Sequence, residues 1–449
     1  MNVLVIGGDA AGMSAASKIK RINKNIKVTV FEKGNIVSYS ACGIPYYIEG
    51  IIKETDLVHY PLEKFTIERG IEVKTKSEVI SVNTEEKTLT YKNGSEIKKE
   101  SYDKLIIASG AIPKVPLIFN KYKNVYVVRT IEDAIVLKNS TNNANKILII
   151  GAGYIGIEMA EAWSKSNKEV TIISHSSKIL GEEDENFSLL LKNKLLSNGI
   201  KLKLNVEIST IQSTKGVIQS VTLNNGEKID VDSVLISTGI LPNTSFIKDS
   251  NINTLNNAII VNEKMETNIK DVYAAGDCTI SKNVVSNTLM YHPTASIANK
   301  EGRVAGSNAA NSEKFYYGHA GAEVVKVFDL EYGVVGINEK KAYELNFKPV
   351  SNTIKANTRA KYYPGNKELY IKMIADESSL TLLGASIIGG EGVSIRIDVL
   401  SSALMKKFTL DDILNIDFSY SPSFSPAWEP LYVAADVLLE KIKRGSKND

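Results

Sequence analysis

The chain has 449 residues, 43% of them hydrophobic and 23% charged, with 54 basic against 51 acidic side chains for a net charge of +3. That is room for two to four domains of ordinary globular composition. It excludes the basic footprint of a nucleic-acid binder, and no apolar run reaches the roughly eighteen residues of a membrane span. Two cysteines, Cys42 and Cys278, make no secreted disulfide framework and fit a reducing cytoplasm.

The first predicted element is a strand in MNVLVIGG, which lacks the basic leader and cleavage site of a signal peptide. It runs through a glycine turn into a helix of small residues, VLVIGGDAAGMSAA, and then into a second strand, KVTVFEK from Lys27. Gly7, Asp9 and Gly12 stand at the three fingerprint positions of a dinucleotide-binding turn, whose helix N-terminus would face a pyrophosphate. Glu32, about twenty residues past Gly12 at the end of the second strand, is placed for a ribose diol. The other reading is a βαβ unit without a nucleotide. Next comes SYSACGIPYYI, where Cys42 reads either as a reactive thiol or as a small buried hydrophobe. DKLIIASGAIP from Asp103 closes the unit.

From Ile147 the pattern returns. ILIIGAGYIGIEMA holds the full set Gly151, Gly153 and Gly156; EVTIISH repeats the second strand and DSVLISTGILP the closing one. Repetition in the same order indicates a duplicated dinucleotide fold. Aligning KVTVFE with EVTIIS puts Ser174 where Glu32 stands, followed by His175 and Lys178. Neutral donors and a cation accept a 2′-phosphate that an acid would repel, which favours NADPH; a loop that takes either nicotinamide cofactor is the other reading.

Beyond Pro242, VYAAGDC is a strand ending at Gly276 and Asp277, with a helix expected to follow. Asp277 reads as a carboxylate for a flavin ribityl chain or as an N-cap, and Cys278 as core. A helix is predicted in PTASIANKEGRVAGSNAA. From about Gly321, alternating strands and then amphipathic helices make a third domain, with the tail KIKRGSKND expected to fray. The fold class is α/β: two Rossmann-like dinucleotide-binding domains plus a C-terminal α+β domain. The expected boundaries are 1–112 with 243–320, 113–242, and 321–449.

Together these pieces resemble, over essentially the whole chain, the FAD-dependent pyridine nucleotide–disulfide oxidoreductases. GGDAAGMSAASKIKR, SYSACGIPYYI, PTASIANKEGRVAG, KYYPGN, RIDVLSSAL and DFSYSPSFSPAWEPL are similar to the coenzyme A disulfide reductases and their single-cysteine NAD(P)H oxidase relatives. In keeping with that subgroup, Cys42 has no close cysteine partner, and no histidine follows His319 to serve as a thiol base. The resemblance implies FAD at Gly7, Gly8, Asp9, Ala10, Ala11, Gly12, Glu32, Lys33, Ser109, Gly110, Gly276 and Asp277. It implies NADPH or NADH at Gly151, Gly153, Tyr154, Ile155, Gly156, Ser174, His175, Lys178 and Gly239, and a homodimer formed by the third domain.

It further implies catalysis by Cys42, with Tyr420 and Tyr362 reaching the partner's thiol and Tyr363 competing for the second role. Ser38, Arg21 and Arg69 become contacts for coenzyme A, while Ala41 stands where the family often has asparagine. The implied reaction is NAD(P)H-driven reduction of coenzyme A disulfide, or of a CoA persulfide or polysulfide, with Cys42 cycling through a mixed disulfide. A helix starting at Cys42 is expected to favour its thiolate. One alternative is an oxidase that reduces oxygen to water or peroxide through a Cys42 sulfenic acid. Asp9 and Ala10, standing where such oxidases carry a histidine, argue against it. The other is a flavin-bound redox scaffold with an unreactive Cys42. The expected partners are a small thiol or disulfide and a second copy, with no nucleic acid and no membrane.

Overall fold

Strand β1 (Asn2–Ile6) is a run of β-branched and aliphatic residues with Val3, Leu4 and Val5 fully buried, the composition of a strand covered on both faces. β2 (Lys27–Phe31) and β3 (Glu72–Lys74) lie to one side of it, Lys104–Ile107 and Val272–Ala274 to the other, all parallel. Helix α1 (Ala10–Ile22) leads from β1 to β2. After α2 (Ile44–Glu49) and α3 (Ile131–Thr141), the second sheet repeats this plan. Lys146–Ile150 is central, with Glu169–Ser174 and Lys201–Leu204 on one side and Ser233–Ile236 and Val125–Tyr126 on the other. Its first crossover is α4 (Tyr154–Lys165). Val3 pairs with Val28 and Lys104, and Ile147 pairs with Val170 and Ser233. The duplication therefore extends to strand register. It also reaches the closing segments, since Ala111–Pro113 pairs antiparallel with Ile240–Pro242.

The computed structural model describes residues 1–182 and 184–445. They divide into one unit of Met1–Ser177, Gly199–Ser281 and Leu289–Tyr317, holding both parallel sheets, and another of Lys178–Asn198, Lys282–Thr288 and the chain from Gly318. In the second unit Glu323–Val327, Leu330–Gly336, Leu382–Gly389, Glu368–Asp376 and Pro349–Asn357 form an antiparallel sheet in that order. Leu369, Ile371 and Ile387 of the sheet share a core with Leu400 and Leu438 of the helices Val393–Met405 and Pro430–Gly445. Lys178–Asn198 packs within this unit: the Tyr332 hydroxyl donates to Glu182 at 2.5 Å and Lys194 pairs with Asp329 at 2.6 Å. The fold is thus α/β with two dinucleotide-binding folds and a C-terminal α+β part. The last four residues of the tail expected to fray lie outside the described residues. Among the described residues, no helix is long and apolar enough to cross a membrane.

One expectation is corrected. No helix follows Asp277 directly. Gly276, at φ +83°, turns the chain back, with Thr279 N donating to Gly276 O at 2.8 Å, into the strand Thr279–Lys282. The helix begins only at Ala295, with Thr294 at its N-cap, so Asp277 caps nothing.

Candidate active site

The first glycine turn is built by close approach. A Cβ on Gly7 would stand 2.1 Å from Ala108 O, and one on Gly12 1.9 Å from Gly7 O, so strand, turn and helix meet only through glycine. Glu32 accepts from Gly8 N at 2.8 Å and from Gly34 N at 2.7 Å, which fixes its carboxylate beside the turn. Glu32, Lys33, Tyr39 and Glu132 contribute to the lining of a cavity of about 520 Å³. Asp9 sits at the N-cap of α1 without making a cap bond, and its Oδ1 is buried with no hydrogen-bond partner. Burial raises its carboxyl to about 6, and Arg129 pulls it partway back. A cradle that only glycine fits, a fixed acid at the strand end and an orphaned buried oxygen at the helix start together suit a dinucleotide.

Arg129 escaped the sequence reading. It precedes the Thr130–Asp133 capping box that starts α3, and its guanidinium reaches Asp277 at 2.5 Å and Ala111 O at 3.2 Å. An arginine just outside a capping box, near the passage between the two repeats, was the available signal. Ser109 donates to Asn243 O at 2.7 Å, tying the closing segments together, and Gly110 and Gly239 both have positive φ.

Cys42 lies in a 3₁₀ turn, Ala41–Gly43, ahead of α2. Two lysines anchor that short helix. Lys138 of α3 donates to Tyr47 O at 2.5 Å, and Lys165 of α4 pairs with Glu49 at 3.3 Å and Glu161 at 2.7 Å. The residue is exposed in the single subunit, yet partial burial of its thiol raises it above its ordinary value, and Glu158 pushes the same way while Arg129 opposes. The expectation of a dipole-favoured thiolate is therefore corrected. The helix starts at Ile44, past the sulfur, spans six residues, and an acid rather than a cation adds to the shift. Glu158, itself raised to about 7 by burial and then by Glu161, was also missed. Cys278 is fully buried, its thiol directed to Ile107 O and Ala275 O at 3.4 Å, as expected of a core residue.

Of the candidate coenzyme A contacts, Ser38 holds φ +55° beside Cys42 and bonds Gly8 O through its N–H. Arg21 lies in the last turn of α1. Arg69 donates to Ser17 at 2.6 Å and covers the Tyr60 and Phe65 rings, so it is already engaged.

In the second repeat a Cβ on Gly151 would stand 2.3 Å from Ser237 O and one on Gly156 2.2 Å from Gly151 O, the same crowding as in the first. Gly153 has open space, with Tyr154 and Ile155 starting α4 after it. Ser174 is buried and its hydroxyl accepts from Ser176 N at 3.1 Å. This reproduces the Glu32–Gly34 contact without the charge. His175 is exposed next to it, and Lys178 belongs to the other unit.

Within that other unit, Tyr362 and Tyr420 are 77% and 52% exposed, and a mutual hydrogen bond raises the Tyr420 hydroxyl. Tyr363 is set apart by Arg359, which lies over its ring at 5.9 Å and pairs with Glu391. Sequence alone left Tyr362 and Tyr363 as rivals; of the two, Tyr362 is the one that acts on Tyr420.

Comparison with known proteins agrees with this arrangement. Residues 1–302 match the family described as pyridine nucleotide-disulphide oxidoreductase, and residues 323–432 match its dimerisation domain. The chain is 38% identical over 441 residues to the NAD(P)H sulfur oxidoreductase (CoA-dependent) of Pyrococcus abyssi, covering 97% of this chain and 98% of that one. It is 32% identical to the coenzyme A disulfide reductase of Staphylococcus haemolyticus, covering 94% and 96%. A solved NAD-dependent persulfide reductase from A. fulgidus superposes with a TM-score of 0.95 at 32% identity, over 99% of this chain and 84% of that one. The chain belongs to the pyridine nucleotide–disulphide oxidoreductases.

Proposed function

We propose that this protein is an FAD-dependent, NAD(P)H-driven reductase of coenzyme A disulfide, or of a CoA persulfide or polysulfide, with Cys42 as its redox group. One observation carries the reading: Cys42 is exposed while the other cysteine is sealed in the core. Such a thiol must draw its disulfide partner from a small molecule. FAD, when bound, supplies two-electron transfer from a nicotinamide to sulfur. The chain's residues do the rest. Cys42 as thiolate attacks one sulfur of the substrate disulfide, forming a Cys42–S–S–CoA bond and releasing one CoA thiolate, which Tyr420 of the partner subunit protonates with Tyr362 assisting. Arg21 and Ser38 hold coenzyme A, with Arg69 in a lesser role.

On this reading residues 1–112 and 243–320 carry FAD, 113–242 carry NAD(P)H, and 321–449 form the homodimer that completes each site. The purified protein is expected to be yellow with bound FAD and to consume NAD(P)H in proportion to coenzyme A disulfide added. Mass analysis of Cys42 should find a CoA adduct or a free thiol. A colourless protein that stays apo with FAD supplied, or NAD(P)H consumption that follows oxygen alone, would reject the reading.

Ser174 supports NADPH, because its hydroxyl keeps the backbone contact while leaving no carboxylate to repel a 2′-phosphate. Ser174→Glu is expected to shift the NADPH-to-NADH ratio of kcat/KM toward NADH by roughly ten- to a hundredfold, the scale of one charge-assisted hydrogen bond. An unchanged ratio would show that other residues read the 2′-position.

A further inference from the structure

The helix Ala295–Ala309 presses small residues onto α1. A Cβ on Gly302 would stand 2.2 Å from Ala11 O, and one on Gly306 2.4 Å from Ala15 O. Glu301 lies in this helix and is 1% exposed. Its Oε2 accepts from Gly276 N at 2.8 Å and from Thr279 Oγ1 at 2.9 Å, while its Oε1 is buried with no hydrogen-bond partner. Gly276 and Thr279 bracket Asp277, whose carboxylate is turned to Arg129. The side chain therefore grips from beneath the turn that presents Asp277 from above.

The titratable and charged groups around Glu301 are Asp277 on the turn, Arg129 paired to Asp277, and Tyr316 from the segment after the helix, whose own hydroxyl is buried and unpartnered. Ser281 and Thr279 add hydroxyls, and α1 offers only Ala11 and Ala15 at the glycine contacts. A carboxylate here would be a desolvated charge near a second carboxylate; a carboxylic acid costs far less in such a place.

We propose that Glu301 is a positioning residue of the cofactor site, seating the Gly276–Thr279 turn as a neutral acid and destabilising the packing around that turn when it ionises. The role rests on the reading that Asp277 faces FAD. Burial is the largest cause holding the Glu301 carboxyl up at about 7, with Asp277 adding to it and the Gly276 N–H, Ser281 and Thr279 offsetting part. The value is raised on folding, so the stability the group contributes is full below the ordinary value of 4.5 and is lost as pH rises through about 7.

The test is thermal melting of the FAD-loaded protein between pH 4.5 and pH 8.5, followed both by flavin release and by circular dichroism. Glu301→Gln keeps an acceptor for Gly276 N and cannot ionise. The wild type is expected to lose about 2–4 °C relative to E301Q between pH 5 and pH 7.5, in both signals, and then to run parallel. Thr279→Val removes one donor to Glu301, so its loss is expected to occur at lower stability of the charged form and hence to move to higher pH. Parallel curves for wild type and E301Q overturn the proposal, as does an unshifted T279V profile should E301Q fail to fold. A chain that binds no FAD would defeat the cofactor reading but leave the circular dichroism profiles to decide the role of Glu301.

Discussion

Cys42→Ser is expected to lose reduction of coenzyme A disulfide by roughly 10³-fold or more while still allowing NAD(P)H to bleach the bound flavin at near the wild-type rate. The separation follows from where the residue sits. The glycine cradles are closed by other segments: Gly7 and Gly12 by Ala108 and by Gly7 itself, Gly151 and Gly156 by Ser237 and by Gly151. The α2 segment behind it is anchored by Lys138 and Lys165, and serine fits the same space. A hydroxyl in this setting has no thiol chemistry and forms no disulfide, so the electrons reach the flavin and stop. Stopped-flow absorbance gives the first half-reaction and an assay for released thiol gives the second. Full disulfide reduction by the variant would move the redox role away from Cys42. Loss of both half-reactions would mean that Cys42 supports the nicotinamide step as well, and the proposed division would fail.

Much of this site was legible because its chemistry is written in local patterns. A glycine turn between a strand and a helix announces itself through spacing, and the acid at the end of the next strand through distance. The repeat made each half a control on the other: Ser174 is informative because Glu32 occupies the matching place, and the shared backbone contact to the residue two positions on bears out the alignment. What sequence could not supply is proximity between distant segments. Arg129 meets Asp277 across 148 positions, and nothing local to either predicts the other. Burial of charge was equally hidden. Glu301 reads as an ordinary polar residue in NKEGR, yet Ala298 and Ala305, three before and four after it, are buried on the same face. That periodicity was the missed clue. The N-cap reading of Asp277 failed because Gly276, in a left-handed conformation, reverses the chain into another strand, and the helix predicted in PTASIANKEGRVAGSNAA starts only at Ala295. For Cys42 the error lay in assuming that a cysteine before a helix shares its dipole, when burial, and after it Glu158 from the other repeat, push the thiol up.

The second large effect concerns Tyr420. Tyr420→Phe is expected to lower disulfide turnover about 10²–10⁴-fold, the usual range for a lost general acid, and to spare flavin reduction by NAD(P)H. Phenylalanine keeps the ring, and the position is half exposed, so folding should be little affected. The hydroxyl is hydrogen-bonded to Tyr362, which raises it and makes it a reluctant acid in the isolated subunit. A thiolate nearby would shift that balance, because a leaving thiolate draws the proton that Tyr362 otherwise shares. Tyr362→Phe should therefore give a smaller loss, and the double variant should cost less than the sum of the two, as expected of groups acting through one hydrogen bond. If the dimerisation domain completes the partner's site, mixing settles it. Cys42→Ser and Tyr420→Phe subunits exchanged one to one would form hybrids in about half of the dimers, each with one intact centre, so activity should recover to about a quarter of wild type. A mixture that stays as inactive as its parents, with exchange demonstrated by differently tagged subunits, would place Tyr420 outside the partner's chemistry and leave the thiolate to be protonated from within its own subunit or by solvent.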